Sequence, residues 1–133
     1  MVLVILLVLA LFVIQTLLPG RFREAPSSGG QSKIAENLGP RDQMRPLTVT
    51  GQRAQRALTN MQEALPVFLG LALMNLIVAP EAGLAVTGAW VFLIARVVYV
   101  PLYLGGVPVA RTLAWVASWV GLILMLIPLV ERI

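Results

Sequence analysis

Long apolar runs separated by short polar breaks fill almost the whole chain. Four runs predict helices at about 2–19, 50–79, 82–104 and 109–131, with one long connection at about 20–49. The first run, Val2–Leu18, is interrupted only by Gln15 and Thr16 and closed by Pro19-Gly20. The second is polar from Thr50 for about three turns and apolar from Ala64 to Pro80. Each is near the roughly 20 residues that a bilayer-crossing helix needs. Pro26-Ser27-Ser28-Gly29-Gly30 and Gly39-Pro40-Arg41-Asp42 mark turns in the long connection. Pro80-Glu81 and Gly105-Gly106-Val107-Pro108 make the other two connections short. Short connections join antiparallel neighbours, so the predicted fold is an all-α integral membrane, up-down four-helix bundle forming a single domain over 1–133. The first run lacks a basic leading region and an A-x-A cleavage site, and is expected to be a retained helix.

Polar residues break the apolar pattern at helical spacing. Arg53, Arg56, Asn60 and Glu63 fall at i, i+3, i+7 and i+10, on one face of the second helix. Arg96, Tyr99 and Tyr103 fall at i, i+3 and i+7 on the third, with Pro101 between the tyrosines as a candidate kink. Arg111 opens the fourth helix. Charged groups at the edge of lipid are costly, and they persist where they are paired or meet a ligand. Here four arginines face one carboxylate, Glu63, so a bound anion would complete the charge balance. Two tyrosines and an asparagine add directional hydrogen bonds, and Glu63 offers a seat for an amine. The implied ligand is small, multiply charged and net anionic. Each residue has a structural alternative: arginines snorkel, tyrosines form interfacial belts, and an Arg–Glu pair can fix packing. Asn75 reads as an interhelical hydrogen bond. Trp90, Trp115 and Trp119 read as lipid-facing or interfacial, and Gly70, Ala72, Gly83, Ala85 and Gly88 as small residues permitting close helix approach.

Composition sharpens this. Hydrophobic residues make up 59% of the 133, against about 45–50% in soluble domains. Cysteine and histidine are absent, which excludes disulfides, thiolate metal sites and imidazole chemistry. Any thiol must come with a cosubstrate, and no metal site is expected. Nine of the ten basic residues are Arg, from either a GC-rich genome or a preference for forked anion contacts. The net charge of +4 does not suggest nucleic acid, since basic runs are short and aromatics few. Arg21, Arg23, Lys33, Arg41, Arg45, Arg53 and Arg56 lie on one side, and Arg132 on the other. The positive-inside rule then places the long loop in the cytoplasm and both termini opposite, in the inner or plasma membrane if the source is bacterial.

The stretch Arg53-Ala54-Gln55-Arg56-Ala57-Leu58-Thr59-Asn60-Met61-Gln62-Glu63-Ala64-Leu65-Pro66-Val67-Phe68 resembles the second-helix signature of the MAPEG superfamily, membrane-associated proteins in eicosanoid and glutathione metabolism. Ala95-Arg96-Val97-Val98-Tyr99-Val100-Pro101-Leu102-Tyr103 is similar to its third-helix pattern, and Arg111 completes it. Gly39-Pro40-Arg41-Asp42 looks like the loop of bacterial members. The resemblance implies a homotrimer with glutathione as cosubstrate, bound between subunits near the cytoplasmic side. Arg56, Asn60, Glu63, Arg96, Tyr99 and Tyr103 would bind it, Arg53 would be a peripheral contact, and Arg111 would be the catalytic residue that stabilises the thiolate. The partners would be membrane lipid and a lipophilic substrate. The implied activity is a microsomal-type transferase or peroxidase acting on lipophilic electrophiles or lipid hydroperoxides. The alternative is a non-catalytic subunit of the same fold that binds lipid or stabilises a larger membrane complex. A small antiporter is the weakest reading, because Glu63, its one candidate acid, sits beside arginines that would hold it ionised. Leu58 and Ala64 depart from positions that carry polar or tyrosine side chains in other branches, and the turn before Arg111 is one residue longer than in the leukotriene synthase branch. Those departures argue against an eicosanoid-specialised enzyme.

Overall fold

The computed structural model describes residues 1–25, 38–39 and 44–132. Among the described residues four long helices carry the chain: α1 (Val2–Arg21), α2 (Val49–Val78), α3 (Gly83–Gly105) and α4 (Pro108–Val130). All four are long and apolar enough to cross a membrane. The protein is therefore an all-α integral membrane four-helix bundle. The turns expected at 26–30 and 40–42 lie outside the described residues.

Local sequence explains the ends. α1 runs through Pro19-Gly20 to Arg21 rather than stopping there. A proline in the last turn removes one helix hydrogen bond, and the Pro19 carbonyl still accepts from Phe22 N–H at 3.1 Å. Thr48 caps α2, its hydroxyl accepting from Gly51 N–H at 3.2 Å. That hydroxyl also donates to the Phe22 carbonyl at 2.9 Å. An isolated bridge pairs Arg23 with Leu47, so the two ends of the long connection are tied together at the mouth of the bundle. A Cβ on Gly51 would overlap the Phe22 carbonyl, which fixes glycine there. α2 spans 30 residues, or about 45 Å, against a hydrocarbon layer of about 30 Å. Its polar first turns therefore reach beyond the apolar layer.

The most extensive helix contact is between α3 and α4. Backbone meets backbone there. A Cβ on Gly88 would lie 2.5 Å from the Gly121 carbonyl oxygen, and one on Gly121 would lie 2.7 Å from both the Gly88 carbonyl oxygen and Phe92 N. Gly88 thus permits close approach, as its composition suggested, with Gly121 as its unforeseen counterpart. Ala72 and Ala85 are buried as well. Within one chain Gly70 and Gly83 pack against no other helix: both are exposed, with nothing within 4 Å of where a Cβ would stand. They lie on outward faces, where a small side chain has no neighbour to accommodate.

Val4 and Val8 of α1 enter a core with Met61, Ala64, Phe68, Phe92 and Met125. Phe68 and Phe92 stack at 4.6 Å. Asn75 is buried and its amide donates to the Leu71 and Met125 carbonyls, each at 2.8 Å. It therefore bonds α2 to α4, as the sequence suggested. Asn75→Leu is expected to lose this bond at a cost of about 0.6–1.7 kcal/mol, measured by unfolding in mixed micelles.

Candidate functional site

The α2 stripe divides into two rows. Arg53 and Asn60 are half-buried, whereas Arg56 and Glu63 are exposed. On a helical projection the first pair lies nearer the buried face carrying Ala57, Met61 and Ala64. Asn60 consequently meets α3: its side-chain carbonyl accepts from Arg96 Nη1 at 2.6 Å. Arg53 reaches the far end of α3, donating from Nη1 to the Leu104 carbonyl at 3.2 Å. Among the described residues Arg56 bonds only its own helix, Nε donating to the Gln52 carbonyl at 3.4 Å. Among the described residues the Glu63 carboxylate accepts no hydrogen bond.

Arg96 is 1% exposed, the largest fully buried side chain among the described residues. Its guanidinium lies 5.3 Å from the Phe92 ring centroid and 5.5 Å from that of Tyr99. Those aromatic faces favour a cation. Its Nε is buried with no partner among the described residues, so neutral Asn60 alone hydrogen-bonds a desolvated charge.

Tyr99 is buried and Tyr103 half-buried, their rings edge-to-face at 5.3 Å. Arg111, in the first turn of α4, lays its guanidinium over Tyr103 at 4.6 Å from the ring centroid. Asn60, Tyr99, Tyr103, Arg111, Thr112 and Trp115 line one cavity of about 210 Å³ between α2, α3 and α4. One wall is therefore polar and carries a permanent cation, and Trp115 forms an apolar wall. Thr112 spends its hydroxyl proton on the Pro108 carbonyl at 3.0 Å, leaving its oxygen as an acceptor toward the cavity.

Four of the eight residues singled out from the sequence share this cavity: Asn60, Tyr99, Tyr103 and Arg111. Arg96 lies one hydrogen bond behind it through Asn60. Arg53, Arg56 and Glu63 do not line it within one chain. Thr112 and Trp115 were not foreseen as lining residues. Their spacing from Arg111, i+1 and i+4, was the available signal for Trp115, which shares a helix face with it.

A sequence profile described as the MAPEG family matches residues 1–130. The chain belongs to the MAPEG family. No curated protein and no solved structure matches it. This MAPEG protein is thus a four-helix membrane protein of a family associated with eicosanoid and glutathione metabolism, and the match covers all four helices, including every residue of the cavity. Leu58 and Ala64 are both buried and neither lines the cavity.

Proposed function

We propose that this MAPEG protein is a glutathione-dependent transferase or peroxidase that forms the glutathione thiolate beside Arg111. The observation carrying this reading is the cavity in which Arg111, Tyr103, Tyr99 and Asn60 converge. Glutathione has two carboxylates, one ammonium and one thiol. Arg96, behind Asn60, and Arg56 supply positive charge for the carboxylates, and Glu63 receives the ammonium. A nearby guanidinium favours the charged form of a thiol and lowers its pKa. The thiolate then attacks an electrophilic carbon, forming an S–C bond as the leaving group departs. With a hydroperoxide it attacks the terminal peroxide oxygen and the O–O bond breaks; the alkoxide takes up a proton and leaves as the alcohol, and the sulfenic acid formed reacts with a second glutathione to give the disulfide and water.

The exposure of Glu63, about four turns into α2, supports a homotrimer with the site completed between subunits. Charges on an outward face of a membrane helix are costly against acyl chains, and a neighbouring subunit with a bound polar ligand covers them. Glutathione then enters from the cytoplasmic side, where the long loop lies, and the apolar substrate arrives through the bilayer past Trp115.

Calorimetric titration of detergent-solubilised protein with glutathione tests the reading. Arg56→Ala and Glu63→Ala are each expected to weaken binding by roughly 10- to 150-fold, the worth of one charge-assisted hydrogen bond. Absence of any binding heat with the unaltered protein removes the proposal.

A further inference from the structure

We infer that Arg53 is a positioning residue: it locks the α3–α4 turn and thereby sets where Arg111 stands beside the thiol. This rests on the thiolate reading above and adds a residue that acts without touching the ligand.

The end of α3 needs a partner. The last carbonyls of any helix lack intrahelical donors and carry the negative end of its dipole. Arg53, from the start of α2, donates to one of them, Leu104, at 3.2 Å. The chain then turns at Gly106, whose φ of 72° is left-handed and favours glycine. Gly106 N–H closes the turn onto the Tyr103 carbonyl at 3.1 Å. The Arg53 guanidinium lies against the bare Cα. A Cβ at Gly106 would fall 2.7 Å from Nη1 and 2.8 Å from both Cζ and Nη2. Two requirements therefore meet at one glycine, the backbone conformation and the space for a guanidinium.

The turn runs directly into α4 and the cavity. Val107 caps α4, Pro108 begins it, and Arg111 N–H bonds the Val107 carbonyl at 3.2 Å. Tyr103 precedes the turn and Arg111 follows it, and their side chains meet at 4.6 Å. The turn held by Arg53 is thus the only covalent link between the two cavity residues that would flank the sulfur. Arg53 itself does not line the cavity. A direct glutathione contact and a turn lock consequently make different predictions.

The test uses full-length protein in detergent with two readouts: the glutathione Kd by calorimetry, and the ultraviolet thiolate absorbance of bound glutathione across pH. Arg53→Met is expected to leave Kd within about threefold while the thiolate fraction near pH 7 falls roughly 3- to 10-fold, a partial return toward the free thiol. Arg53→Lys, which keeps one donor for Leu104, should restore most of it. Gly106→Ala, with Arg53 intact, should reproduce the Arg53→Met titration, and it serves where Arg53→Met does not fold. In an Arg111→Ala background, Arg53→Met should add nothing, because both changes act through one guanidinium. Additive effects, or a raised Kd with an unchanged thiolate titration, overturn the lock. Failure of the unaltered protein to bind glutathione is a separate result, and it overturns the thiolate reading together with this inference.

Discussion

Arg111→Ala is expected to abolish the thiolate absorbance of bound glutathione near neutral pH while glutathione still binds. The physical basis is charge. Arg111 is the only guanidinium that lines the cavity among the described residues. A cation within about 4–6 Å lowers an acid's pKa by about 1–3 units, so its removal should cut the thiolate fraction about 10- to 1,000-fold. Conjugation of a generic electrophile should fall in parallel, since the thiolate is the nucleophile. Binding should weaken far less, because the carboxylates and amine of glutathione are assigned to Arg56, Arg96 and Glu63. Arg111→Lys keeps a cation there and should recover part of the absorbance. Stopped-flow mixing followed in the ultraviolet would track the thiolate directly. An Arg111→Ala protein that binds glutathione and shows undiminished thiolate would exclude this role.

Gly121→Leu is expected to be the most damaging single change in the membrane interior. Even a Cβ at this position meets main-chain atoms, the Gly88 carbonyl and Phe92 N, each at 2.7 Å. Main chain cannot rotate away as a side chain can, so α3 and α4 must separate. Overpacking a dense core costs about 1–3 kcal/mol and occasionally more, and the branched side chain beyond that Cβ places this substitution at or above the upper end. Separation also disturbs Phe92, which stacks on Phe68 and lies 5.3 Å beneath the Arg96 guanidinium. Gly121→Leu should therefore lower the unfolding midpoint in detergent and weaken glutathione binding. Gly83→Leu is the natural control: nothing lies within 4 Å of that position, and it stands at the start of α3, off the α2 face that carries Arg56 and Glu63, so its midpoint should hardly move. Equal midpoints for the two variants would show that the seam does not depend on the glycine contact.

The cavity also joins two environments that the proposed chemistry requires. Arg111, Asn60 and the tyrosines suit a charged, water-soluble cosubstrate. Trp115 lies one turn deeper along α4 and touches Trp119 edge-to-face at 5.9 Å. The two indoles continue the wall toward the apolar part of the helix, on the side from which a lipophilic substrate would arrive.

The sequence by itself determined the four membrane helices, because their apolar runs match the bilayer thickness. It also determined the family, because its second- and third-helix stretches resemble the family's patterns, with arginine, asparagine, glutamate and tyrosine at helical spacing, and the family profile matches residues 1–130. That same spacing grouped Arg53, Arg56, Asn60 and Glu63 as one stripe. Only the tertiary structure separated them, sending Arg53 to the end of α3 and Asn60 to Arg96, and leaving Arg56 and Glu63 outward. It likewise paired Gly88 with Gly121 and turned Gly70 and Gly83 away. The reason is physical: periodicity fixes which residues share a face of one helix, whereas what that face meets depends on each helix's rotation about its own axis. That rotation is set by where backbones can touch, and the touching residues belong to different helices with no local pattern linking them.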